Sequence, residues 1–153
     1  MGKAKLTPKY EIFIPFPDPQ GKEREEMHVV FQGKQIVKRY KRTPNKTRNN
    51  LNIVKNSVLH IFEETDSDSV FKVEILALFK RPQKLLGKDL DKTIYVGKKP
   101  DWDNIGKLIC DGINNLIWKD DAQIAIGKVI KRFIKIGEEP GVKVKIWKIQ
   151  KKH

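Results

Sequence analysis

Three observations predict a single α/β (α+β) domain with a mixed β-sheet and helices packed on it. The segment 70–79 is apolar on both faces, with Phe71, Val73, Ile75, Ala77 and Phe79 alternating on one and Leu76 and Leu78 on the other. That is the pattern of a central strand. Segments before and after it repeat apolar residues at three- and four-residue intervals, as helices buried on one side do. Short alternating runs stand near both ends of the chain. With 153 residues, 39% of them hydrophobic, the chain can bury one core, and no repeat or composition shift divides it.

Glu11-Ile12-Phe13-Ile14 reads as the first strand. Prolines 15, 17 and 19 end it, because proline lacks the ladder N–H. Met27 to Phe31 is a second extended run. Between 34 and 48 lie seven basic residues (Lys34, Lys38, Arg39, Lys41, Arg42, Lys46, Arg48) and no acid. Like charges at that density repel, so a flexible exposed loop is expected, either solvated or contacting phosphate. Leu51, Val54, Val58 and Phe62 mark the first helix. After the strand at 70–79, residues 81–99 form a second basic flexible connection ending in Lys98 and Lys99, with a short extended piece at 93–96. The second helix carries Ile105, Leu108, Ile109, Leu116 and Ile117 on its apolar face, with Asp103 as cap. Gly112 costs that helix about 1 kcal/mol of propensity, which implies a close packing contact. Strands at 124–136 and 142–150 follow, with Glu138-Glu139-Pro140-Gly141 as a hairpin turn between them. The helix after Phe79 is a crossover between neighbouring strands.

Thirty-two Lys+Arg against 19 Asp+Glu give a net charge of +13. Such an excess favours polyanions, nucleic acid before an anionic membrane. No run approaches a membrane span and the start has no apolar signal region. Cys110 is the single cysteine, so no internal disulfide forms, which fits a reducing cytoplasm. Its place in an apolar helical pattern reads as core packing. His28, His60 and His153 have no ligand spacing, and no Walker pattern is present, so no nucleotide cofactor is expected.

Against this basic background, acids gather around the second helix. Asp101 and Asp103 stand at its entrance and Asp121 follows it. Packing the helix on the sheet lets the three converge. Carboxylate oxygens are hard ligands suited to Mg²⁺ or Mn²⁺, which polarise phosphate and acidify water. Each acid also has a structural reading, as a cap or a solvated turn. Lys107, four residues after Asp103, either faces a phosphate or forms an ion pair with Asp103 or Asp111. Asp89 and Asp91 share the i, i+2 spacing but lead into no apolar helix. The positive surface is expected from Lys34, Lys38, Arg39, Lys41 and Arg42, together with Lys128, Lys131, Arg132, Lys135, Lys143 and Lys145. Trp102 either stacks on a base or packs in the core.

Asp101-x-Asp103-Asn104, Lys107, Asp111 and Trp118-x-Asp120-Asp121-Ala122-Gln123-Ile124 resemble the RusA family of Holliday junction resolvases. The resemblance is strongest over 100–129. It extends more weakly to Ile14-Pro15-Phe16-Pro17 and the C-terminal strands. It implies a homodimeric, Mg²⁺- or Mn²⁺-dependent endonuclease that binds four-way junction DNA and nicks opposing strands symmetrically in recombination and repair, in bacteria or their phages. It further implies that Asp101, Asp103 and Asp121 are catalytic metal ligands and Lys107 the catalytic lysine, with Asp120 the second choice for the last ligand. The stretches 21–48 and 81–99 look longer than in short members of the family. Two other readings compete: a non-catalytic nucleic-acid-binding protein, and a less selective metal nuclease.

Overall fold

A computed structural model describes residues 6–87 and 89–153. It is one α+β domain: a four-stranded mixed sheet with two helices on one face, and a separate two-stranded ribbon. The main sheet has β1 (Tyr10–Ile14), β4 (Ser69–Phe79), β5 (Ile124–Phe133) and β6 (Gly141–Lys151) in the order β1-β6-β4-β5. The helices are α1 (Asn45–Leu59) and α2 (Trp102–Ile113). The ribbon pairs β2 (Glu26–Gln32) with β3 (Gln35–Arg42).

β4 lies inside the sheet, as its two-sided apolar pattern required. It runs parallel to β5 and antiparallel to β6, and α2 makes the crossover between β4 and β5. Odd-numbered β4 side chains join Tyr10, Ile12, Ile14, Val144 and Ile146 under the helices. On the opposite face Leu78 is buried but Leu76 is half-exposed, so that face is only partly covered.

The hairpin expected across 138–141 does not form. β5 and β6 lie on either side of β4, because β4 offers two edges and the seven residues after Phe133 are long enough to cross its end. Several contacts hold that crossing, among them Ile134 N–H donating to Phe79 O at 2.9 Å and the Arg132 guanidinium gripping Glu138 at 2.6 and 2.8 Å. The loop expected at 34–48 is also a different object. Its first half is strand β3, and its second half opens α1. The alternation of Ile36, Lys38 and Tyr40 was hidden under the charge count. The 81–99 connection has one short 3₁₀ turn, at Gln83–Leu85, and its extended piece makes a single bridge, Tyr95 to Arg132, on the outer edge of β5.

α1 and α2 pack at Gly112. A β-carbon there would sit 2.5 Å from Val54 Cγ1 and 2.6 Å from Val54 Cβ, too close for real atoms. The helix-propensity cost of glycine is therefore offset by close approach of the helices. Gly112→Ala should lower stability by about 1–3 kcal/mol despite the gain in propensity. Adding Val54→Gly, which removes both the Cγ1 and the Cβ that clash, should make the Gly112→Ala step nearly neutral. Urea denaturation of the three variants measures this, and an additive loss in the double variant would contradict it.

Candidate active site

α2 decides where the acids stand. Ile105, Leu108, Ile109, Gly112 and Ile113 are buried, so Asp103, Lys107 and Asp111 share another strip of the helix. Asp101, not Asp103, is the N-cap residue. Its backbone is extended and its carbonyl accepts the Ile105 N–H at 3.1 Å, but its carboxylate makes no cap hydrogen bond. Asp103 lies in the first turn, with Lys107 Nζ 3.8 Å from its Oδ2. Both are well exposed, so this pair is a loose surface contact and leaves the ammonium available. Trp102 is 62% exposed and is not part of the core.

Asp120 and Asp121 have separate environments. Asp120 Oδ1 accepts the Ala122 N–H at 2.7 Å, capping the 3₁₀ turn Asp121–Gln123. That bond, foremost, and a hydrogen bond with Asp121 lower its pKa. The Asp121 carboxyl moves the other way. Desolvation raises it most, then the bond shared with Asp120 and the nearby Asp111 charge. Gln123 holds the turn in place. Its Oε1 accepts the N–H groups of Lys119 and Asp120, and its buried Nε2 donates to Asp66 O and Ser69 O at 2.8 and 3.1 Å. Asp66 is itself ordered by Lys148 at 2.8 Å and by Ser69.

Two parts of the site could not be read from the sequence. The segment after β1 crosses the start of α2. Lys22 N–H donates to Asn104 O at 3.0 Å, and Lys22 Nζ binds Asp111 Oδ2 at 2.7 Å. Gly21 packs tightly there, since a β-carbon would meet Pro100 Cβ at 3.0 Å and Asn104 Cβ at 3.1 Å. No periodic pattern signals such a crossing. It also closes one wall of a cleft of about 720 Å³ whose charged lining is Lys22, Arg24, Lys46, Lys98 and Lys99 with the acids Asp18, Glu23 and Asp101.

The acids therefore form a strip. Asp101 and Asp103 stand at the head of α2, and Asp111, Asp121 and Asp120 stand about two turns further along it. Among the described residues, no three His, Cys, Asp or Glu side chains are drawn into a metal-holding group. The donor chemistry still fits a hard divalent cation. The side chains are carboxylates, and Asp121 is crowded by like charge that a cation would relieve.

The expected DNA-contacting residues fall on three surfaces. Lys34, Lys38, Arg39, Lys41 and Arg42 are on the ribbon, and Lys98 and Lys99 line the cleft. Lys131 reaches toward the cleft, donating to Lys98 O at 2.6 Å. Lys128 and Lys145 lie level with Glu74 on the open face of the sheet, and Lys143 with Leu76. They are thus turned away from α2. Arg132, expected on the DNA face, is instead committed to Glu138 and largely buried.

The family model described as Endodeoxyribonuclease RusA matches residues 11–147. The chain belongs to the RusA endodeoxyribonuclease family. No curated protein matches it. The match covers both helices, β4 and β5 and most of β1 and β6. Membership makes the chain a nuclease of the kind that resolves Holliday junctions in recombination. No helix among the described residues is long and apolar enough to cross a membrane.

Cys110 is next to this acidic strip. Burial foremost, then Asp121 and Asp111, push its thiol up to about 12. It should react with a thiol reagent at pH 8 at least roughly 100-fold slower in the native protein than in urea, since only thiolate attacks. Equal rates would show the strip to be more open than described.

Proposed function

We propose that this protein is a Mg²⁺- or Mn²⁺-dependent homodimeric endonuclease that resolves four-way DNA junctions by paired, symmetric nicks. The observation that carries the reading is the acidic strip of α2 beside a cleft in which lysine and arginine outnumber acids, in a member of a junction-nuclease family. The basic excess attracts phosphate, and the strip supplies oxygen ligands where that phosphate arrives.

Asp101, Asp103 and Asp121 would supply the carboxylates for metal binding, the first two at the head of α2 and the third beside Asp111, about two turns along it. When bound, the ion would neutralise phosphate charge and lower the pKa of an attacking water. Asp121 is the better candidate than Asp120 for the last ligand, because the Asp120 carboxylate already caps its own turn. Lys107, held loosely by Asp103, is free to swing toward phosphate and stabilise charge developing on its oxygens. Lys22 keeps Asp111 paired, so that acid does not repel the incoming backbone. Lys98, Lys99, Arg24 and Lys46 would guide a strand through the cleft. A two-fold dimer presents two identical sites to the two-fold related strands of a junction, which accounts for paired nicks.

Asp103→Asn and Asp121→Asn should each lower junction cleavage by at least roughly 100-fold while junction binding survives. Asp120→Asn should cost far less. Cleavage and gel-shift titrations of the three variants test the assignment. Loss of binding in step with cleavage, or equal loss for Asp120 and Asp121, would overturn it.

A further inference from the structure

The ribbon β2–β3 presents an apolar surface that the fold does not use. Its strands pair only with each other, every residue of β3 is exposed, and in β2 only His28 is half-buried. Phe31 is 61% exposed, Val37 53% and Ile36 45%, all beside the Gln32–Gln35 turn. Phe31 and Ile36 pair across the strands but leave much of their surface in water. An isolated ribbon gains little by exposing such side chains, and apolar surface of this kind marks a contact site.

Charge identifies the partner. Residues 26–42 carry Lys34, Lys38, Arg39, Lys41 and Arg42 against one acid, Glu26. Toward the base of the ribbon Tyr40 stacks on His28 at 5.3 Å, with Lys38 Nζ 5.4 Å from its ring centre. The ribbon is thus cationic along its length, with exposed apolar side chains from Met27 to Val37 and its most exposed ring, Phe31, beside the tip. Its matching ligand is a polyanion that exposes flat apolar faces at one place. A four-way junction does so at its branch point, where base stacking is interrupted. The ribbon also springs from the rim of the cleft. Glu23 N–H donates to Thr47 Oγ1 at 3.2 Å at its foot, and the neighbouring residues Lys22 and Arg24 line the cleft wall. Seven residues of strand carry the tip roughly 20 Å outward.

We infer that the ribbon is a branch-point probe: Phe31, supported by Ile36, packs against exposed bases while the flanking cations hold phosphates. This rests on the junction-nuclease reading above and adds the element that would make the protein prefer a junction to a duplex.

The test uses the full-length protein with chelator, a four-way junction carrying 2-aminopurine at the branch point, and a duplex of the same sequence. The wild type should raise 2-aminopurine fluorescence and prefer the junction. Phe31→Ala/Ile36→Ala should abolish the rise and cut the junction-over-duplex affinity ratio roughly tenfold, the size of one lost base–aromatic stack, with unchanged circular dichroism. Lys38→Gln/Arg39→Gln should weaken both substrates alike and keep the rise. Phe31→Trp provides a second reading, its emission being quenched by the junction and not by the duplex. A Phe31→Ala/Ile36→Ala variant with wild-type preference and fluorescence would overturn the inference. So would a loss confined to sedimentation, which would make the tip a contact between copies. A wild type that binds both substrates equally would overturn the junction reading itself.

Discussion

Burial of one face of α2 against the sheet governs the rest of the site. Its apolar residues leave no rotational freedom, so Asp103, Lys107 and Asp111 must emerge along one line. Its entry residue Asp101 must stand at the mouth of the cleft, and its exit must deliver the 120–121 turn back to the start of β5. The contact between Gly112 and Val54 secures the helix from the other side, locking it to α1. The candidate site is thereby placed on a rigid element.

The electrostatic logic is one of opposites kept apart. A chain of charge +13 attracts phosphate everywhere, so it needs a place where negative charge persists. The strip on α2 provides it, and lysines tie it down without extinguishing it. Lys22 holds Asp111 tightly, whereas Lys107 touches Asp103 only at long range. The crowded carboxyl of Asp121 marks the point where a further cation would be most welcome.

The architecture was legible wherever burial imposes a period. The two-sided β4, the amphipathic α2 and the crossover between β4 and β5 follow from the pattern of apolar residues, and Gly112 announced its close contact. Pairing partners leave no such mark. β5 and β6 read as a hairpin because a turn joins them, yet each prefers an edge of the central strand. The first strand of the ribbon was legible as an extended run, but β3 escaped notice because both its faces are wet, so its alternation is weak and its charge dominates. In the site, the residue types around Asp101 and Asp121 were visible. The distinction between Asp120 and Asp121 was not, since it depends on which carboxylate reaches the Ala122 N–H. Lys22 and the burial of Arg132 against Glu138 were equally hidden, both being tertiary pairings of ordinary surface residue types.

We propose that the strip and cleft together cut branched DNA with a divalent cation. The most direct measurement incubates the purified protein with a labelled four-way junction and a matched duplex, with Mg²⁺ and with chelator. Symmetric nicks are expected in the junction alone, lost with chelator and restored when Mg²⁺ is returned. A junction that is bound but never cut under any divalent cation, or a duplex cut equally well, would contradict it.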